Sequence, residues 1–505
     1  MDKEPMMSIE ELINQLREGK ELRSTLSLLK AELKTPGQRS YVLRLLQGDL
    51  GPVEKCLSSE DAKTRKNAAG VLGALARQES LRPLYEAYRR EETLFVRSAY
   101  PEAMRKLNCT EVLPELRDLR DELAQREVPA EEKKHRDAEL LALNNLIGDA
   151  ERGRNHRFRG MDEDAHVLLL TNRNYTEEVR KALEERGIPA KTFTAGVIAD
   201  PAHLKEIYAV RTFSETLFPV PGCPTVPDGP EEAAEALAKS GLSALARKYL
   251  EGEPPYAFRV DLRTREEKKD EARTFAREFA GRLTTLSNGD WISRPSDYEV
   301  ELRLVANSAG TWNVLVKFMN LPDPRFTYRR AATSSSLAPL NAAMAVDAAR
   351  PFLKEGARVL DPMCGSGVLL VERMKALGAD TLYGLDVNGE AIRAAEGNLK
   401  NAGLFAHLVR RDFRDFTHEH LFDEVITDFP VLRGAQTKPE LVRLYRDFFR
   451  KMPELVREGG LLVLYTHDLD LVRRESQRDY RILRVFEVSR RENCHIVILR
   501  KGERA

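Results

Sequence analysis

The stretch GARVLDPMCGSGVLLVE, residues 356–372, decides the fold class. Arg358 to Leu360 reads as a short strand that stops at Asp361, and Gly365-Ser-Gly367 as a turn in which the backbone can pass close to a ligand. Val368 to Leu377 then reads as a helix ended by Gly378. Strand, glycine turn and helix in this order open a doubly wound α/β sheet, whose ligands sit at the carboxyl ends of its strands.

Three kinds of cofactor compete for such a turn. A phosphate loop needs Gly-Lys-Ser/Thr at the start of the helix, whereas Gly367 is followed by Val368. A dinucleotide fingerprint needs a third glycine for close helix packing, and that position is Leu370. What remains is Asp-x-x-x-Gly-x-Gly with a carboxylate at the strand tip. Asp361 would repel a pyrophosphate and attract a sulfonium or an α-amino group. The charge argument favours S-adenosylmethionine.

Two acids downstream fit the same site. Thr381 to Asp386 is a second strand ending in a carboxylate 25 residues after the first, close to the spacing of a ribose-binding acid. Helix Gly389 to Lys400 leads to a third strand that is expected to end at Asp412-Phe413, where the carboxylate can accept from an adenine amine and the ring can lie against the base. Cys364 reads as a small turn residue rather than a nucleophile. The fourth strand, Asp423 to Asp428, delivers Asp428-Phe429-Pro430-Val431 to the mouth of the sheet.

Upstream the pattern differs. From about residue 8 to 125 apolar residues recur only at helical spacing, as in Ile9, Leu12, Ile13 and Leu16. Thr64-Arg65 and Val96-Arg97 open similar segments 32 residues apart, which resembles HEAT-like repeats, or else a small helical bundle with accidental similarity. Residues 126–162 hold a charged boundary, and Arg152 to Arg159 reads as a solvated linker or as a phosphate-touching, base-stacking run. Strand–helix–strand units follow at 165–215 and 256–318, separated by a Pro/Gly-rich linker, Phe218 to Pro230.

Length and composition set the bounds. A prior of roughly 150 residues per domain implies three or four domains for 505 residues. With 42% hydrophobic and 32% charged residues the composition is that of an ordinary globular protein, and no apolar run approaches a bilayer span. Lys plus Arg equals Asp plus Glu, 80 each, so any nucleic-acid contact must come from local basic faces. Five cysteines lie scattered without a C-x-x-C pair, and the acidic first residues lack an apolar signal core; a cytoplasmic location, no membrane and no metal are expected.

Asp361-Pro-Met-Cys-Gly-Ser-Gly367 resembles the first motif of amino-methylating class I nucleic-acid methyltransferases, and Asp428-Phe-Pro430 stands where they carry Asn/Asp-Pro-Pro-Tyr/Phe. From about 163 to 500 the chain resembles the THUMP-domain family that makes N2-methylguanosine in transfer or ribosomal RNA. The resemblance implies four parts: a HEAT-like helical extension (1–150), a basic linker and ferredoxin-like segment (151–220), a THUMP-like RNA-binding domain (221–325) and a Rossmann-like, seven-stranded methyltransferase domain (326–505). It further implies Asp428, Phe429 and Pro430 as catalytic residues. For the cofactor it implies Asp361, Pro362, Cys364, Gly365, Gly367, Asp386, Val387, Asp412 and Phe413, with Pro339 at the methionine end. The chain departs from the pattern at Phe429, which replaces a proline, and at Val431, which replaces the base-stacking aromatic. A non-catalytic RNA or ribosome adaptor, or an enzyme for adenine N6 or a protein amide, therefore stays open. The helical part is expected to offer a surface to a protein partner.

Overall fold

Apolar runs such as Leu461 to Leu464, buried along their whole length, have no polar face to turn to water and become central strands of a sheet covered on both sides. The strands of this sheet are β1 (Ala357–Asp361), β2 (Ala379–Asp386), β3 (His407–Arg410), β4 (Phe422–Asp428), β5 (Val456–Thr466), β6 (Tyr480–Ser489) and β7 (Cys494–Lys501). They lie in the order β3-β2-β1-β4-β5-β7-β6, with the first five parallel and β7 antiparallel to both its neighbours. The chain steps outward from β1 to β3 and then returns to the other side of β1. The order thus reverses between β1 and β4, and the crevice beyond their carboxyl ends is where an open α/β sheet takes its ligand.

This computed structural model describes residues 7–35, 37–150, 156–264, 269–333, 336–431 and 437–502. Its contacts divide the chain into two units, Met161–Phe218 with Leu321–Ala505 and Met1–Gly160 with Pro219–Asn320.

In the first of these, helices α1 (Pro339–Ala349), α2 (Val368–Ala376), α3 (Gly389–Asn401) and α4 (Lys438–Leu455) accompany the seven strands. Pro339 opens α1, where its fixed φ suits a helix and its missing N–H costs nothing. Arg373 of α2 and Glu424 of β4 are buried as a pair, Nε to Oε2 at 2.6 Å and Nη2 to Oε1 at 3.0 Å. A further antiparallel sheet of the same unit runs Ala190–Phe193, Gly196–Ala199, Val167–Thr171, Phe213–Pro219. It is tied to the rest by Asn172 Nδ2, which donates to the Val488 carbonyl at 2.6 Å, and by Arg211, which holds Glu372 at 2.7 and 2.8 Å.

In the other unit the helices Ile9–Glu18 to Ala130–Ala150 share one apolar core. The two similar segments enter helices Ala62–Leu75 and Ala99–Met104, where Gly73 lies so close to Ala103 that a Cβ there would stand 2.6 Å from its Cα. Arg65 and Arg97 each reach a buried acid, Glu91 at 2.7 Å and Glu139 at 2.8 Å. Strands Trp312–Phe318, Val300–Ala306, Tyr256–Arg263 and Trp291–Ser293 form a sheet in that order, with helix Lys269–Leu286.

Three local expectations change. The boundary at 126–162 is mostly the helix Ala130–Ala150, whose buried face includes Glu139 and Asn144, so that its apolar period is broken where the polar groups are satisfied inside. The Phe218 to Pro230 linker contains strand residues Thr225–Val226, paired with Asn313 and Trp312, and helices Pro230–Ala238 and Leu242–Tyr249 follow it. Of the Arg152 to Arg159 run, 152–155 lie outside the described residues. His156 is buried against Glu299 at 2.7 Å and Phe158 stacks on Tyr249 with 5.7 Å between ring centres, so neither ring is offered to a base.

Candidate active site

The strand tips set the geometry. Asp361 ends β1 and is buried; its Oδ1 accepts from Thr427 Oγ1 of β4 at 2.8 Å and from the Met363 amide at 3.2 Å. Its other oxygen, Oδ2, is buried without a hydrogen-bond partner among the described residues, as is Ser366 Oγ. Burial, reinforced by the neighbouring Asp386 carboxylate, pushes the Asp361 carboxyl up to about 7. Buried polar atoms are normally satisfied, so two orphans beside one cavity mark a place built for a polar ligand.

The glycine turn is pinned to the tip of β2. The Gly365 amide donates to Asp386 Oδ2 at 3.0 Å, the Asn388 amide to Asp386 Oδ1 at 2.8 Å, and the Cys364 amide to the Leu385 carbonyl at 2.8 Å. A carboxylate offers about four acceptor sites, so Asp386 keeps capacity for a diol. Gly365 and Gly367 take φ values of +52° and +76°, which glycine adopts without strain. They serve different ends. Gly365 lines the cavity, whereas a Cβ on Gly367 would meet that of Ala395 in α3 at 3.1 Å, so this glycine lets two helices close together.

A cavity of about 280 Å³ opens at this point. Among the residues singled out from sequence, Asp361, Pro362, Cys364, Gly365, Asp386 and Val387 line it on the side of β1 and β2. Asp412, Phe413, Asp428 and Pro430 line it on the side of β3 and β4. Asp412 lies beyond β3, which ends at Arg410, and caps a short turn. Its Oδ1 accepts from the Arg414 amide at 2.9 Å, while Arg414 Nη1 holds Oδ2 at 2.8 Å. Burial and the flanking Asp361 and Asp386 raise the Cys364 thiol well above its ordinary range, which keeps it protonated and unreactive.

Besides Gly367, two of the residues stand elsewhere. The Phe429 ring is 1% exposed and stacked on Tyr445 of α4, ring centres 4.0 Å apart, while its amide donates to the Tyr465 carbonyl at 2.9 Å. Its side chain anchors the turn from below and does not line the cavity. Pro339 starts α1, but the wall there is made by Ser336 and Leu337 just before it. Sequence reading also passed over Arg411, Arg414 and Leu444, and over Met363, Ser366, Val368 and Leu369 beside the glycine turn, all of which line the cavity. The arginines directly adjoin Asp412-Phe413 and could have been found there; Leu444 lies on α4 and carries no local signal.

Residues 327–495 match the RMKL-like methyltransferase domain family. This segment is a methyltransferase domain. S-adenosylmethionine is the cofactor of such a domain, and the orphaned Asp361 oxygen, the Asp386 carboxylate and the Gly365 turn fit it. The chain is 32% identical over 122 residues, 24% of its length and 36% of the relative's, to the tRNA (guanine(10)-N2)-dimethyltransferase of Methanothermobacter thermautotrophicus. It is 33% identical over 115 residues, 22% of its length and 21% of the relative's, to the U6 snRNA (guanine-N(2))-methyltransferase THUMPD2 of Mus musculus. The chain thus spans only about a third and a fifth of these relatives. The crystal structure of TrmN from Thermus thermophilus superposes with a TM-score of 0.52 at 22% identity, covering 66% of this chain and 99% of that one, a likeness of fold. Asp428, half-buried at the tip of β4, lines the same cavity as Asp361 and Asp386 of β1 and β2. Among the described residues no helix is long and apolar enough to cross a membrane, and all five cysteines are free and buried.

Proposed function

We propose that the chain methylates an exocyclic amine of RNA, guanine N2 in tRNA or rRNA, using S-adenosylmethionine. The observation that carries this reading is that Asp361 and Asp428, on the adjacent strands β1 and β4, open onto one cavity. The two named relatives support it, both being guanine-N2 methyltransferases of RNA.

The residue roles follow from the chemistry. S-adenosylmethionine, when bound, supplies an electrophilic methyl group on a cationic sulfur. Asp361 Oδ2 would meet its positive end, Asp386 the ribose diol, and Asp412 with Val387 and Phe413 the adenine. A guanine amine is a weak nucleophile because its lone pair is delocalised into the ring. Asp428 would accept one N–H, drawing the nitrogen toward a tetrahedral shape and aiming its lone pair, while Pro430 stiffens the turn that carries it. Phe429 contributes through its anchorage on Tyr445 rather than by touching the base.

The remaining parts are assigned on the same reading: a HEAT-like helical module at 1–150 that offers a surface to a protein partner, a ferredoxin-like segment within 151–220, and a THUMP-like RNA-binding domain at 221–325. The buried, unpaired cysteines favour the cytoplasm. Isothermal calorimetry with S-adenosylmethionine, followed by mass spectrometry of nucleosides from RNA of a deletion strain, tests the proposal. Micromolar binding and a missing methylguanosine are expected. Absence of heat would leave the adaptor reading, and a missing methyladenosine would move the target to adenine N6.

A further inference from the structure

A second cavity, of about 520 Å³, lies wholly within the unit formed by Met1–Gly160 and Pro219–Asn320. Its walls come from two stretches that sequence reading assigns to separate domains. Arg105, Leu141 and Asn145 belong to the N-terminal helices; Arg259 belongs to strand Tyr256–Arg263 and Arg277 to helix Lys269–Leu286. Among the described residues three guanidinium groups line it and no carboxylate does. Two of these are balanced by carboxylates just outside the lining, so the net positive charge at the cavity rests on Arg277.

The three arginines are held differently. Arg105 leans on Asp149, Nη2 to Oδ2 at 2.7 Å. Arg259 leans on Glu301, Nη2 to Oε2 at 2.7 Å, with its guanidinium 4.3 Å over the Tyr298 ring. Neither acid is part of the lining, so these pairs fix the direction of two positive groups at the rim. Arg277 is exposed and has no ion-pair partner among the described residues. Between the arginines the floor is apolar and low: Val260 from the strand, and Ala276, Ala280 and Gly281 from the helix. A Cβ added to Gly281 would meet only Leu141 Cδ2, at 3.8 Å, so the space above it is open.

Charge and shape together choose the occupant. A small inorganic anion would use the rim and leave the floor wet. An apolar ligand would bury the floor and leave the Arg277 cation without a counter-charge. A nucleotide satisfies both, because a planar base covers small apolar side chains while its phosphate takes the guanidinium groups; arginine planes also stack on bases. We propose that this cavity grips one nucleotide of single-stranded RNA, its phosphate at Arg277 and its base against Ala276 and Ala280, with the N-terminal helices forming one wall. The helices thereby become part of the RNA-binding surface, which is a role distinct from docking a protein. The inference rests on the proposed RNA substrate, but it can fail separately.

The test is fluorescence anisotropy of the full chain with a labelled ten-nucleotide single-stranded RNA, measured from low to physiological salt. Two variants address the two halves of the argument. Arg277→Glu reverses the lining cation that has no ion partner among the described residues and so breaks none of the ion pairs described there. Gly281→Leu fills the open space from a helical position where a side chain raises helix propensity. Arg277→Glu is expected to weaken binding at least tenfold at low salt and to make the salt dependence shallower by about 0.7 in log–log slope, the share of one phosphate contact. Gly281→Leu is expected to weaken binding severalfold at every salt concentration. Both should retain the wild-type affinity for S-adenosylmethionine, which shows that the chain is folded. Unchanged RNA affinity in both variants overturns the proposal, as does wild-type protein that ignores the RNA at low salt. Tight binding of a free mononucleotide that competes with the RNA would assign the cavity to a small molecule instead. If RNA binding responds as expected while S-adenosylmethionine is not bound, this inference stands and the methyl-transfer reading falls.

Discussion

Thr427 Oγ1 donates to Asp361 Oδ1 at 2.8 Å, with both side chains buried, so the tip of β4 holds the carboxylate of β1 by one oxygen and leaves the other turned to the cavity. The same burial raises the carboxyl to about 7, close to working pH. A cationic ligand needs the ionised form. Affinity for S-adenosylmethionine should therefore rise with pH, being about tenfold weaker at pH 6 than at pH 8, as follows from a single group titrating near 7. Calorimetry across that range reads it directly, and a flat profile in wild type would remove Asp361 from the role.

Stability should move the other way. The folded-state pKa of Asp361 lies above its ordinary value of 3.8, so the folded protein holds this proton more tightly than the unfolded chain does. The stability contributed by the protonated form is present below about pH 4 and lost as pH rises to about 7. The full loss is about 4 kcal/mol from the shift of roughly three units. Asp361→Asn keeps an acceptor for Thr427 and removes the buried charge. At pH 8 the ligand-free variant should melt above wild type while losing at least about tenfold in S-adenosylmethionine affinity, as one lost charge-assisted contact of about 1.5–3 kcal/mol would cause. A lower melting temperature in the variant contradicts the account.

Much of this site was legible because it is local. Asp361, Gly365 and Asp386 sit at strand tips and turns whose residue types announce them, and the sheet has the seven strands that the family resemblance implies. Phe429 was not legible in the same way. Its neighbours along the chain, Asp428 and Pro430, face the cavity, but alternation turns its ring to α4, where Tyr445 and Phe448 wait some sixteen residues on. The cavity wall near Pro339 was placed a few residues late because the wall is the extended approach to α1 and not the helix itself. Helix Ala130–Ala150 reads as a boundary from the dense charge of its first turns, and the partners that bury its Glu139, Tyr88 and Arg97, lie far away in sequence.

Phe429 should accordingly behave as a core residue. Phe429→Ala removes a buried ring stacked on Tyr445 and is expected to cost about 3–5 kcal/mol, measured by denaturant unfolding. Phe429→Leu, which retains most of the volume, should cost less than half as much. If the alanine variant kept wild-type stability and lost only turnover, the ring would have to be acting on substrate.

Asp428→Ala should lower methyl transfer by at least about 10², the scale of losing one oriented partner of the reacting group. Its affinity for S-adenosylmethionine should change little, since the proposed cofactor contacts are those of Asp361 and Asp386. Single-turnover rates on RNA separate the two effects. A variant that still methylates at near wild-type rate would take Asp428 out of the chemistry.

The pair Arg373–Glu424 allows a test of what ties α2 to β4. Both side chains are buried, and Arg373 also donates to the Lys354 carbonyl at 2.7 Å. Removing one partner strands the other charge in the interior, so Arg373→Met alone should destabilise by about 3–5 kcal/mol. Glu424→Gln in the same chain removes the stranded charge, and the double variant should recover a large part of that loss. Additive losses from the two changes, measured by denaturant unfolding, would mean that the ion pair does not couple them. Because β4 ends at Asp428, the single variants should also weaken methyl transfer more than they weaken cofactor binding, and the double variant should restore both together.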